Sequence, residues 1–252
     1  MRAPTSITVG KVPQVTIVFW ILKVAATTLG ETGGDAVSMS LGLGYLLASC
    51  LFLAIFVVAV VAQVRATRFH PWLYWSTIVA TTTVGTTVAD FADRSLGIGY
   101  AGGSALLLAL VLVLLATWYG AMGSVSIHQI VTPRAEWFYW ITIMFSQTLG
   151  TALGDWTAGD AGIGYFGSVM LFGGLLAVIA VVYSVTRVSR TLLFWMAFVL
   201  TRPLGAAFGD FLDKPLDDGG LALSRYAATA MLLAFMAICI WLVPQRPADT
   251  RN

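Results

Sequence analysis

The chain has 252 residues, 58% of them hydrophobic and only 10% charged, with a mean hydropathy of +0.86. A soluble domain carries about 25% charged residues, so there is too little polar side chain here to cover a water-facing surface, and the bilayer is the expected solvent. The net charge of +2, with no basic run interleaved with aromatics, offers no case for a nucleic-acid partner.

A span needs about 20 predominantly apolar residues. Eight stretches meet that length: 14–35, 43–64, 72–93, 99–119, 136–155, 163–184, 192–210 and 224–243. The first carries Lys23 deep within it and ends on TLGETGGD at Asp35; the second follows LGLGY, ending at Tyr45, and is nearly featureless. The third carries TVGTTVAD to Asp90 and ends at Asp93, and the fourth opens on the last residues of LGIGY at Tyr100. The fifth ends on TLGTALGD at Asp155, and the sixth follows AGIGY at Tyr165. The seventh carries Arg202 beside Pro203 and ends on RPLGAAFGD at Asp210, with Asp213 beyond; before the eighth stands LDDGG, a departure from the pattern. The first stretch runs on into this motif and not to a small-residue cleavage site, so it is not expected to be a cleaved signal peptide.

The four motifs are copies of one unit. Small residues recur four apart at Gly30 and Gly34, Gly85 and Ala89, Gly150 and Gly154, and Gly205 and Gly209, each pair followed directly by an aspartate. Successive aspartates lie 55, 65 and 55 residues apart, so the first and third, and the second and fourth, are 120 apart, as are Asp93 and Asp213. That spacing predicts a two-helix unit doubled and then doubled again. The expected fold is an all-α polytopic membrane protein of about eight transmembrane helices in four parallel two-helix repeats. The repeats are placed near 12–68, 69–127, 133–189 and 190–244 of a single membrane domain covering 1–252.

Lys and Arg collect in alternate gaps and at the termini, nine on one side against Arg94, Lys214 and Arg225 on the other. The positive-inside rule then predicts both termini in the cytoplasm. Ten of the twelve acids lie toward the opposite side. Trp20, Trp75, Trp140 and Trp195 begin the odd helices at equivalent positions and read as interface anchors. Cys50 and Cys239 form no ligand spacing and read as small core residues.

Small residues four apart let helix backbones approach closely, which accounts for the glycines by packing alone. A carboxylate near hydrocarbon must face the bundle interior, a cavity or water. Asp35, Asp90, Asp155 and Asp210 are therefore expected either to line a shared polar site or to cap the following loops. Glu31 lies one turn before Asp35; Asp93 and Asp213 lie one turn after theirs, at the mouth. Lys23 and Arg202 have no equivalents in the other repeats and are expected to pair with carboxylates. Pro203 is expected to kink its helix and free carbonyls. Threonines and Gln147 concentrate on the odd helices, which points to an inner polar layer and an outer lipid-facing one.

Oxygen ligands without cysteine or histidine suit Mg²⁺, Ca²⁺ or Mn²⁺, with Asp35, Asp90, Asp155 and Asp210 as the metal ligands. No nucleophile–base pair, phosphate loop or metalloprotease motif is present, so an enzyme is not expected. The reading is a transporter of a divalent metal cation or a proton-coupled carrier, whose candidate binding residues are Glu31, Asp35, Asp90, Asp93, Asp155, Asp210, Asp213, Lys23 and Arg202. Alternatives are a carrier of a small polar organic substrate and a non-transporting scaffold or sensor. No cofactor is assigned, and a bound divalent cation is the one candidate. The partners are the lipid bilayer and a small ion or molecule, with the oligomeric state left open. The GD-type repeats, followed in three copies by G-x-G-Y, resemble the bacterial "repeat of unknown function" membrane proteins (domain of unknown function 347) over nearly the whole chain. That resemblance implies a bacterial inner-membrane location and brings no activity with it.

Overall fold

The computed structural model describes residues 10–248. Arg2, Asp249 and Arg251, which entered the charge count, lie outside them. Eight helices make up the fold among the described residues: α1 (Ile17–Asp35), α2 (Gly44–Arg65), α3 (Pro71–Asp90), α4 (Tyr100–Met122), α5 (Pro133–Ala158), α6 (Gly164–Val185), α7 (Arg190–Asp213) and α8 (Arg225–Leu242). Five of them, α2, α4, α6, α7 and α8, are long and apolar enough to cross a membrane. The other three are the threonine-rich α1, α3 and α5.

Local chemistry sets the ends. Thr16, Thr132 and Ser189 accept hydrogen bonds from the backbone N–H three residues on, opening α1, α5 and α7. Pro71 and Pro133 open their helices, where the missing N–H costs nothing. Wide π-type turns, Ala36–Ser40 and Phe91–Ser95, follow Asp35 and Asp90 directly. In the G-x-G-Y motif both glycines take positive φ, from 68° to 83°, at Gly42 and Gly44, Gly97 and Gly99, and Gly162 and Gly164. A side chain is strained in that backbone region, which explains why the motif repeats as it does. The α7 helix continues through Pro203 to Asp213.

The odd helices form a closed ring, α1 against α3, α3 against α5, α5 against α7 and α7 against α1. Each even helix packs outside the next repeat's odd helix: α2 on α3, α4 on α5, α6 on α7 and α8 back on α1. The motif glycines make the ring possible. A Cβ on Gly30 would overlap Thr82, one on Gly85 would lie 2.9 Å from the Gln147 carbonyl carbon, one on Gly150 would overlap Arg202, and one on Gly205 would overlap Thr27. Thr27, Thr82, Gln147 and Arg202 are equivalent positions, eight residues before each repeat aspartate. Each repeat therefore presses its glycine onto the same position of the next, and the fourth onto the first. One turn along, Gly34, Gly154 and Gly209 meet Thr86, Ala206 and Glu31 in the same way.

The end of the ring away from the aspartates is closed by aromatics. Phe19 packs on Trp75, Tyr74 on Trp140, Tyr139 on Trp195 and Phe194 on Trp20, with centroids 5.5, 5.6, 6.3 and 5.9 Å apart. The Tyr74 and Tyr139 hydroxyls are 2.6 Å apart. This corrects the reading of the tryptophans as interface anchors: Trp75, Trp140 and Trp195 are buried, because the helices that carry them are the inner ones. Cys50 is likewise no core residue, since it lies on the exposed outer face of α2. Both ends of the described chain meet on this aromatic side, where Gln14 N–H donates to the Arg246 carbonyl and Ala248 N–H to Val12. Lys11 also ties the N-terminal segment there, 2.7 Å from Glu136.

Candidate functional site: a buried layer of carboxylates

The ring brings equivalent residues of four helices to one axis, turn by turn. One turn before the aspartates stand Glu31, Thr86, Thr151 and Ala206. Arg202 reaches up into this layer from the turn below. Its Nη2 lies 2.9 Å from Glu31 Oε2 and donates to the Thr86 and Thr151 hydroxyls, and its Nη1 donates to the Thr27 carbonyl at 3.2 Å. Both Arg202 and Glu31 are fully buried. One guanidinium thereby ties all four inner helices together, a geometry suited to its planar fork of five donors.

The next layer holds the repeat aspartates, all buried. Lys214 Nζ bridges two of them, 2.9 Å from Asp210 Oδ1 and 3.1 Å from Asp35 Oδ2. Arg94 Nε lies 2.8 Å from Asp90 Oδ1 and within electrostatic reach of Asp155. Each cation stands four residues after its own aspartate; Lys214 also contacts the aspartate of the next repeat, and Arg94 acts on the next one only through its field, so the layer has an approximate twofold pattern. Asp155 Oδ2 and Asp35 Oδ1 are buried without a hydrogen-bond partner among the described residues. Asp155 also feels the like charges of Glu31, Asp210 and Asp90. Burial works against the Lys214 ammonium, but Asp210, Asp35 and Asp213 outweigh it and hold it above the ordinary lysine range.

Glu31, Asp35 and Asp210 each offer a carboxylate oxygen, and the three lie within 4.8 Å of one another. Such a set of hard oxygens fits a divalent cation of the Mg²⁺ or Ca²⁺ class. The four repeat aspartates do not form one equivalent set of ligands. Glu31 takes a place in the tight group, whereas Asp90 and Asp155 stand apart from it. Asp213 sits at the rim, 3.1 Å from Arg225, which is also 3.7 Å from Asp35. Asp93 is half-buried in the turn after α3, apart from that pair, with its Oδ1 unpartnered among the described residues.

Lys23 has no carboxylate partner among the described residues. Its fully buried Nζ lies 4.2 Å from the centroid of the Phe198 ring, and its nearest charge is the like charge of Arg202. The expected ion pair is absent there because Arg202 has already engaged Glu31. Sequence reasoning missed Lys214, Arg94 and Arg225. A signal for two of them was present: Arg94 and Lys214 lie 120 residues apart, as Asp90 and Asp210 do. A separate cleft of about 1200 Å³ opens on the flank of α1, α6, α7 and α8, with apolar walls that include Ile21, Leu176, Leu193 and Phe194, and none of the acids lines it.

No curated protein and no solved structure matches the chain. The family model described as Repeat of Unknown Function matches at residues 18–69, 73–124, 138–189 and 193–246, so the four units seen in the ring are the four copies of that repeat. The chain thus belongs to the Repeat of Unknown Function (DUF347) family.

Proposed function

We propose that this protein is a membrane carrier that exchanges cations at the aspartate layer, taking a divalent metal ion of the Mn²⁺, Mg²⁺ or Ca²⁺ class against protons. All eight helices cross the bilayer, as four parallel two-helix repeats around an axis along the membrane normal. In this reading α1, α3 and α5 lack the hydropathy of the others because α2, α4, α6 and α8 shield them from lipid. The membrane is the bacterial inner membrane, with the termini in the cytoplasm, the aromatic layer at the cytoplasmic end of the ring and the aspartates toward the outside.

The observation that carries the reading is the charge of the buried layer. Glu31, Asp35, Asp90, Asp155, Asp210 and Asp213 at the rim are six carboxylates, and Arg202, Lys214, Arg94 and Arg225 are the four cations paired with them. Two formal negative charges remain. A low-dielectric interior does not hold them bare, so they are neutralised by protons or by one divalent ion, and exchange between those two states is cation antiport. A zwitterionic organic substrate is served less well, since Arg202, Lys214 and Arg94 are each already paired with a protein carboxylate.

The test is uptake of Mn²⁺ into proteoliposomes under an imposed pH gradient. Asp35→Asn, Asp90→Asn, Asp155→Asn and Asp210→Asn are each compared with the parent at equal reconstitution. Loss of at least tenfold in flux is expected for Asp35→Asn and Asp210→Asn, with helicity retained. Unchanged flux in all four variants would leave a scaffold as the better account.

A further inference from the structure

The fourth repeat departs from the other three just where Lys214 enters. Instead of G-x-G-Y, the chain turns through Leu216–Asp218 and folds back on the end of α7. Leu221 N–H donates to the Phe211 carbonyl at 2.8 Å, Leu223 N–H to Leu212 at 2.9 Å, and Ala222 N–H to Lys214 itself at 2.8 Å. Ala222 holds a φ of 52°, a left-handed conformation that a non-glycine residue adopts at a cost. A Cβ on Gly220 would fall 2.7 Å from the Lys214 carbonyl carbon. The segment therefore fixes the Lys214 backbone and aims its flexible four-carbon stem at the carboxylates.

We propose that Lys214 is a tethered resident cation, whose ammonium occupies the seat between Asp35 and Asp210 and must be displaced by the cation that binds there. This rests on the reading of the aspartate layer as a cation site. The seat has acceptors that the ammonium leaves unused: Asp35 Oδ1 is buried and unpartnered among the described residues, and Glu31 brings a third carboxylate within 4.8 Å of the other two. Asp155 Oδ2, also buried and unpartnered, adds a fourth carboxylate within electrostatic reach of Glu31 and Asp210. An ammonium is a compact point charge on a mobile stem, whereas the guanidinium of Arg94 binds as a rigid fork. Of the two cations set four residues after a repeat aspartate, Lys214 is thus the one suited to exchange. Asp217 and Asp218, exposed on the same segment, receive the displaced ammonium, and one carboxylate of the layer keeps a proton, so that the single divalent ion balances the two negative charges left. The consequence is a threshold: a weakly binding monovalent ion fails to displace the tether, and a divalent ion succeeds.

Only three lysines occur in the chain, Lys11, Lys23 and Lys214, so displacement can be read on the unmodified protein. The purified protein in detergent is treated with an amine-acylating reagent with and without saturating Mn²⁺, and labelling at each lysine is followed by peptide mass spectrometry. Labelling of Lys214 is expected to accelerate at least fivefold with Mn²⁺ while Lys11 stays constant. In parallel, Mn²⁺ affinity measured by calorimetry should tighten tenfold or more in Lys214→Met and not in Lys214→Arg. If Mn²⁺ binds the parent, yet neither labelling nor affinity responds, the tether is overturned and the cation site stands. If Mn²⁺ binds neither parent nor Lys214→Met, both fall. Should Lys214→Met fail to fold, the labelling of the parent decides alone.

Discussion

Removal of Arg202 gives the sharpest test of the axial arrangement. The pair it forms with Glu31 is 2.9 Å long, and both side chains are almost wholly excluded from solvent. Arg202→Met leaves Glu31 as an uncompensated buried charge, which costs about 3–5 kcal/mol. Glu31→Leu leaves the guanidinium unpaired and costs about the same. Replacing both removes the charges together, and a buried ion pair exchanged for apolar groups is often neutral in stability. The double variant still forgoes the hydrogen bonds to Thr86, Thr151 and the Thr27 carbonyl, each worth about 1 kcal/mol. It is therefore expected to be about 2–3 kcal/mol less stable than the parent, well short of the sum of the single changes. The assay is unfolding in mixed micelles by titration with a denaturing detergent, followed by tryptophan fluorescence. Strict additivity of the two substitutions, or a single loss below about 1 kcal/mol, would refute the reasoning.

Other outcomes follow from the same geometry. Gly150→Ala drives a methyl into the Arg202 side chain and Pro203 and should destabilise by at least the roughly 1–3 kcal/mol typical of overpacking. Gly102→Ala, where a Cβ meets nothing within 4 Å, should be neutral or stabilising by up to about 1 kcal/mol; thermal melting of the two variants checks both. Gly99→Ala, at a φ of 83°, should cost about 1 kcal/mol by the same measurement. For Lys214 the folded-state value lies above the ordinary one, so its stabilisation is present below the unfolded value and is lost only as pH rises through the folded one. The stability advantage of the parent over Lys214→Met should consequently not shrink as pH rises from about 7 to about 9; an advantage that shrinks within that window contradicts the pairing. Reporter fusions at each terminus should report the cytoplasm, and an external reading at either would reverse the proposed orientation.

Much of the architecture was legible in the residues alone. Helical periodicity, hydropathy and an aspartate recurring after paired small residues fix four two-helix units, because each unit must solve the same packing problem with the same local chemistry. The inner role of the odd helices also followed, since Thr27, Thr82, Gln147 and their neighbours have no place against hydrocarbon. What sequence could not decide was which helix neighbours which. Only the closed ring sets the Gly205 of the last repeat against Thr27 of the first, and this closure turns Trp75, Trp140 and Trp195 from presumed anchors into core. It likewise decides the pairing of charges. Lys23 and Arg202 look equivalent as lone cations in apolar helices, yet one guanidinium reaches across the axis to Glu31 while the Lys23 amine is left over the Phe198 ring. Lys214 and Arg94 read in sequence as loop charges, but the ends of α7 and α3 set Lys214 between Asp210 and Asp35 and Arg94 against Asp90. Local sequence determines which backbone forms, because its forces act within a turn or two. Charge pairing depends on distances across the bundle, and those exist only once the ring has closed.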